Sequence, residues 1–216
     1  MTSSDRPTPA PSSPGTPAEP PVKDRVFRSS AGIAGGVLLL ALAVWLGVDA
    51  VTHGEGSAPW TALAALLFLV PLVVAYTIRP AVFVNDDRLR IRNPFRTITL
   101  PWSCVGNVRA GYSNEVFDDA GVKYQLWAVP VSLRARKKAA RQQSRAAMDD
   151  PSGRTSLSAS PVRSPSDQIV EDLRELAERR SGAESAQGRP VVRWAYEVLA
   201  PSAAGAVLLA VLLAVA

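Results

Sequence analysis

Residues 81–100 read AVFVNDDRLRIRNPFRTITL, and this stretch decides the predicted fold. A short apolar segment leads into the turn sequence NDD, and residues 88–92 then alternate between arginine and an aliphatic residue. Such alternation places one set of side chains on each face of a strand. The dipeptide NP turns the chain into a second alternating segment, residues 96–100. We therefore expect an antiparallel meander with one buried face and one polar face.

The residues that follow predict further strands. Trp102, Val105 and Val108 are three apart, a spacing that favours one irregular helical turn before the next strand. Residues 112–117 and 122–131 are strand candidates, joined by a hairpin loop that contains glycine. The second candidate becomes apolar on both faces near its end, which is typical of a strand inside a barrel or sandwich.

Two helices are predicted after these strands. Residues 133–148 form a very basic helical segment, and residues 149–165 form a linker rich in Ser, Pro, Gly and Asp. Residues 167–180 have a single apolar stripe, acidic residues in the first turn and arginines in the last, with Ser166 as the expected N-cap. This helix should pack one face against the strands.

Three long apolar runs, residues 33–51, 60–78 and 198–216, lie outside this polar region. The length of each run is close to the about 20 residues that a helix needs to cross a bilayer. None of the runs has a charge at its centre. Their apolar residues cover every helical face, unlike the stripe of a helix in a soluble core. The first run is longer than the apolar core of a signal peptide and follows a long Pro/Ser-rich tail.

The positions of the basic residues predict the orientation of the runs. The loop at 52–59 has no Lys or Arg, whereas the other flanks of the runs are basic. By the positive-inside rule, the N-terminus and the central region are cytoplasmic and the C-terminus reaches the outer face of the plasma membrane. The flanking cations are Lys23, Arg25, Arg28, Arg79, Arg189 and Arg193.

The domain organisation follows from these patterns. Residues 1–30 are a disordered Pro/Ser-rich tail, and residues 31–78 are a transmembrane hairpin. Residues 79–185 are a cytoplasmic domain with a basic helix and linker inserted at 132–165. Residues 190–216 contain a juxtamembrane segment and the third transmembrane helix. The fold class is thus an α+β membrane protein, with three transmembrane helices and a cytoplasmic antiparallel β-barrel or sandwich that has a closing helix.

Composition argues against catalysis. Apolar residues make up 47% of the chain, as expected for a polar domain with three spans. Cys104 is the one cysteine and His53 the one histidine, and they are expected on opposite sides of the membrane. Phosphate-binding loops, zinc motifs and nucleophile elbows are absent from the sequence. We expect no enzymatic activity, no cofactor and no metal, and we expect Cys104 to be a small buried apolar residue.

The strand pattern resembles that of a known family. The segment VxV-turn-LRIRNPFRTI, followed by LPWxxVxxV, is similar to the bacterial pleckstrin-homology-like domain of actinobacterial membrane proteins of the low-molecular-weight protein antigen 6 type. The resemblance implies a bent antiparallel barrel capped by one helix, without catalysis. The insert at 132–165 and the third span depart from that pattern. The matching residues are Val82, Val84, Leu89, Arg90, Ile91, Arg92, Asn93, Pro94, Phe95, Arg96, Leu100, Pro101, Trp102, Val105 and Val108.

Two groups of cations are candidate contacts for anionic lipid or a partner. Arg88, Arg90, Arg92 and Arg96 are expected to share, or nearly share, one wet face of the first hairpin. Eukaryotic pleckstrin-homology domains hold phosphoinositides with basic residues in this region. The alternative is a solvated face. The basic helix suits superficial adhesion to anionic lipid, and its lack of aromatic residues argues against nucleic acid. Its cations are Arg134, Arg136, Lys137, Lys138, Arg141 and Arg145.

Gly32 and Gly36 have the spacing that lets two helices approach closely. The sequence as a whole predicts a membrane-anchored binding or scaffold protein, whose cytoplasmic domain meets a protein partner or the anionic inner leaflet. The alternative is an accessory structural subunit that docks through its apolar helices onto another membrane protein.

Overall fold

The computed structural model describes residues 24–131, 137–138, 140–142, 144–145 and 164–215. Three of its helices are long and apolar enough to cross a membrane, as the sequence predicted. They are α1 (Ser30–His53), α2 (Ala58–Val73) with its extension, and a C-terminal helix (Tyr196–Val215). The extension of α2 is a π-helical segment, Val74–Ile78.

Helix α2 lies between α1 and the C-terminal helix, and glycines set the close contacts. A Cβ atom on Gly205 would lie 2.4 Å from the backbone nitrogen of Phe68. A Cβ on Gly36 would clash with Thr77 of the π-helical segment, because it would lie only 2.1 Å from its Oγ1. Pro71 lacks an amide donor, and the helix widens to the π form a few residues later.

The strands of the described residues form two antiparallel sheets. The predicted meander is confirmed as β2 (Ala81–Val84), β3 (Arg88–Arg92) and β4 (Arg96–Pro101). Two further strands, β1 (Arg25–Phe27) and β8 (Val191–Trp194), complete a five-stranded sheet in the order β1-β2-β3-β4-β8. The other sheet contains β5 (Val105–Ala110), β6 (Asn114–Asp118) and β7 (Lys123–Gln125).

The expected barrel is not closed. Among the described residues the two sheets stay separate and share one core, to which Leu89, Ile98 and Val116 contribute from different strands. The prediction of a long strand at 122–131 is also wrong, since β7 has only three residues. Its apolar end enters the core as a turn, in which the amide of Val129 donates to the carbonyl of Leu126 at 3.1 Å.

The expected helical turn is present as a 3₁₀ turn at Trp102–Cys104. Strand β5 follows directly, and an irregularity in its pairing between Val105 and Asn107 inserts one residue. This insertion explains why Val105 and Val108, three apart, both face the core. Cys104 differs from expectation: it is only partly buried, and its Sγ donates to the Gly188 carbonyl at 3.3 Å.

Strands β1 and β8 were not predicted. The first lies in the stretch assigned to a tail, and the second lies in the juxtamembrane segment. Both are very short, so neither shows enough alternation to be recognised. They gain their partners from the meander, with β1 pairing with β2 and β8 pairing with β4.

Helix α3 (Pro165–Arg180) closes one side of the core over β5. Its N-cap is Ser164 rather than Ser166, because Pro165 occupies the first helical position and the Ser164 hydroxyl accepts from the Asp167 amide at 3.3 Å. Val170 and Leu173 from its apolar stripe are buried. The Tyr196–Val215 helix is called α4 below.

Candidate functional site

All three apolar helices leave the five-stranded sheet at one end, called here the helix-proximal end. Phe27, the last residue of β1, pairs with Val82 near the start of β2. Arg92 at the end of β3 pairs with Thr97 near the start of β4, which in turn pairs with Arg193 near the end of β8. The connections to the helices are very short, at 28–29, 79–80 and 195.

The turn between β3 and β4 is packed against the helices. Phe95 contacts the buried residues Ala75, Ala195 and Val198. Its ring meets Tyr76 edge to face, with centroids 5.3 Å apart, and its carbonyl accepts from the Ala195 amide at 2.8 Å. The sheet therefore packs directly against the ends of two helices.

The arginines predicted to share one wet face are divided by the strand geometry. Arg88, Arg90 and Arg92 alternate on β3 and lie on the outer face, away from the core. Arg96 has the same parity on β4 as the buried Ile98, so it lies on the opposite face of the sheet. The expectation that Arg96 shares the face of the other three is therefore wrong.

The turn between β2 and β3, at the far end of the sheet, is acidic and held in place. Arg180 of α3 donates to the Asp86 carbonyl at 2.9 Å, and Asn85 donates to Asp24 at 3.0 Å. Asp24 also forms an ion pair with Arg90 at 2.6 Å. The nearby arginine charge is thus partly neutralised at the place where the resemblance suggested a lipid-binding loop.

The helix-proximal end has a different balance of charge. Here Arg92, Thr97 and Arg193 form one row across three strands of the outer face. Arg79 lies beside this row with only 8% of its side chain exposed, and it donates to Glu197 at 2.8 Å and to Thr97 at 3.3 Å. Sequence reasoning used Arg79 and Arg193 only for orientation, because their contacts with β3 and β4 depend on strand pairing.

These residues surround a cleft of about 420 Å³, called here the basic cleft. Glu197 is the one carboxylate among its described lining residues. Burial lowers the pKa of the Arg92 guanidinium, and the positive charges of its arginine neighbours, Arg79 first, lower it further. The guanidinium stays charged at neutral pH. The lining residues are Arg79, Phe83, Arg90, Arg92, Thr97, Arg193, Trp194 and Glu197.

A second cleft of about 400 Å³ lies on the other side of Trp194. Its wall is aromatic, with the rings of Tyr76 and Trp127 5.7 Å apart, and it includes Arg96 and Lys123. Lys123 also forms an ion pair with Glu115 at 3.3 Å. The hydrogen bond from Ser113, and then the interactions with Lys123, lower the pKa of the Glu115 carboxyl.

Those of the other predicted contacts that the structure describes, apart from Arg90 and Arg92, do not line the basic cleft. Lys137, Lys138 and Arg141 are exposed residues in a helical stretch, whereas Arg134 and Arg136 fall outside the described residues. Gly32 and Gly36 face the π-helical segment of the same chain. Within the described ranges, no group of three or more His, Cys, Asp or Glu side chains is placed to hold a metal ion.

Comparison with known proteins identifies the domain. Residues 79–179 match the family model described as the bacterial PH domain, so this region of the chain is a bacterial PH-like domain. The match runs from β2 into the last turn of α3 and excludes β1, β8 and all three apolar helices. No curated protein and no solved structure matches the chain.

Proposed function

We propose that this protein is a non-enzymatic, membrane-anchored binding or scaffold protein with its PH-like domain at the cytoplasmic face of the plasma membrane. A PH-like domain fits a binding or scaffold role in general. The observation that carries the proposal is the direct connection of all three apolar helices to one end of the five-stranded sheet. Helices that span the bilayer would hold this end against the inner leaflet.

The charge distribution supports the same orientation. Arg28, Arg79 and Arg193 lie at the helix-proximal end, whereas the α1–α2 connection carries Glu55 and neither Lys nor Arg. This is the asymmetry of the positive-inside rule. The domain then presents its surface to anionic lipid or to a protein partner close to the membrane.

The alternative function, docking through the apolar helices onto another membrane protein, has less support. Its expected docking face includes Gly36, and Thr77 of the same chain already packs against this residue. The remaining outer faces of α1 are rich in exposed leucine and valine, as expected for any helix surrounded by lipid.

Single-cysteine labelling in a Cys104→Ser background tests the orientation. A membrane-impermeant maleimide should label Glu55→Cys in intact cells, because the α1–α2 connection would lie outside. Gly182→Cys, at a position with open space around it, should react only after lysis. The opposite labelling pattern would contradict the cytoplasmic placement of the domain.

Fluorescence quenching tests whether the domain is held at the bilayer surface. A fluorophore on Gln125→Cys, beside the second cleft, should be quenched by phospholipids that carry a nitroxide on the headgroup. The same fluorophore on Gly182→Cys, next to the end of α3, should be quenched much less. Equal quenching at both positions in reconstituted vesicles would rule out the proposed arrangement.

A further inference from the structure

We propose that Arg79, Arg92 and Arg193 bind the phosphate of an anionic phospholipid headgroup in the basic cleft. This inference rests on the proposed function, because the cleft meets headgroups only if the helices span the bilayer. The site differs in place from the β2–β3 turn, which lies at the other end of the sheet and is acidic.

The strand register brings the ligands together. Thr97 on β4 lies opposite Arg92 on β3 and opposite Arg193 on β8. All three side chains therefore project from the same face of the sheet. Neighbouring strands are about 4.8 Å apart, which places the two arginine Cα atoms roughly 10 Å from one another. Two guanidinium side chains of this length can converge on one phosphate and bind its oxygens in a bidentate manner.

Arg79 completes the site as a preorganised donor. Its guanidinium is held by Glu197, by the Thr97 hydroxyl and by the carbonyl of Asn93. Because Thr97 Oγ1 accepts the bond from Arg79, its own hydroxyl proton stays available for a phosphate oxygen. An arginine that is already ordered loses less conformational entropy when the ligand binds.

The net positive charge of the cleft favours the binding of an anion. Four arginines line it, of which Arg79 is paired with Glu197 and Arg90 with Asp24, a residue outside the lining. Among the described residues, no carboxylate lies within ion-pair distance of Arg92 or Arg193. A bound phosphate diester would supply the missing negative charge.

The position of the cleft favours a lipid over an acidic protein segment. Trp194 borders the cleft, is 56% exposed, and is followed within two residues by the start of α4. Tryptophan and tyrosine side chains concentrate at the headgroup level of membranes, and both occur here as Trp194 and Tyr196. An anionic headgroup would therefore be the nearest available ligand.

A lipid titration of the full-length protein in nonionic detergent tests the site. Dioctanoyl phosphatidylglycerol should raise the unfolding temperature, whereas dioctanoyl phosphatidylcholine and inorganic phosphate at equal concentrations should leave it nearly unchanged. Arg92→Gln and Arg193→Gln should each weaken the apparent affinity for phosphatidylglycerol about tenfold. Arg88→Gln is the matched control, on the same strand and face but at the far end, and should stay within about twofold of wild type.

Three results would overturn the proposal: wild-type affinity in Arg193→Gln, an equal loss in Arg88→Gln and Arg92→Gln, or an equal response to inorganic phosphate. Arg193 is exposed on an edge strand, so its variant remains informative if Arg92→Gln disturbs the fold. A titration that fails while the quenching contrast between Gln125→Cys and Gly182→Cys persists would reject the lipid site and leave the proposed function intact.

Discussion

Three arginines on one strand have different surroundings, although they share the outer face of β3. Arg90 pairs with Asp24 and stacks over the ring of Phe83 at 4.6 Å. Arg92, one pleat further along, has positive neighbours instead. The alternation in the sequence predicted their common face, but Asp24 lies 66 residues earlier in the chain and its contact could not be foreseen.

A buried tyrosine provides a test at this scale. Tyr124 is 5% exposed and donates to Asp118 at 3.1 Å. Replacing it with phenylalanine removes this bond and should lower the free energy of unfolding by about 1 kcal/mol at neutral pH. Thermal unfolding of the full-length protein, followed by circular dichroism, measures the loss.

The same variant should also change how the stability of the protein depends on pH. Burial, and then the hydrogen bond and charge of Asp118, raise the pKa of the Tyr124 phenol. The unfolded chain therefore releases this proton at a lower pH than the folded protein does, so wild-type stability falls as pH rises above the ordinary phenol pKa. In Tyr124→Phe, this contribution to the loss of stability at alkaline pH should be absent. Tyr112→Phe is the control, since Tyr112 is fully exposed, and an identical effect of both changes would contradict this assignment.

At the scale of elements, α1 offers two adjacent glycines with opposite surroundings. A Cβ on Gly36 would overlap Thr77, whereas a Cβ on Gly35 would meet nothing within 4 Å. Gly36→Ala should therefore destabilise the helix packing by about 1–3 kcal/mol. Gly35→Ala should be neutral or stabilising by up to about 1 kcal/mol, because alanine favours the helix.

Unfolding of both variants in detergent micelles, compared with wild type, measures this difference. Equal stability of Gly36→Ala and Gly35→Ala would show that the contact between α1 and the π-helical segment is not close. The glycine spacing predicted close helix packing, but the sequence did not indicate that the neighbouring segment belongs to the same chain.

The edge strands carry a prediction for the whole molecule. The fragment 79–185 lacks β1 and β8, so both β2 and β4 become uncovered edges of the remaining sheet. Exposed strand edges pair with other chains. We expect the isolated fragment to self-associate, as measured by light scattering after size exclusion. A stable monomer at high concentration would show that the flanking strands are dispensable.

The whole molecule is also more tightly connected than its sequence segments suggest. The domain joins the helices through three short connections, and Phe95 packs between helix ends. Because these contacts join residues that are distant in the chain, no local pattern reports them. The resemblance predicted a PH-like domain, which is confirmed. The barrel that it implied is not closed, because the strands of the described residues form two separate sheets.

The sequence by itself determined the three apolar helices, the β2–β4 meander and the family of the domain. These features follow from local hydrophobicity and from alternation within one segment, both of which are readable in linear order. Only the tertiary structure decided that β1 and β8 extend the sheet, that Arg96 faces away from the other arginines, and that Arg79, Arg92 and Arg193 meet in one cleft. Strand pairing sets these positions, and pairing between distant segments depends on their three-dimensional register.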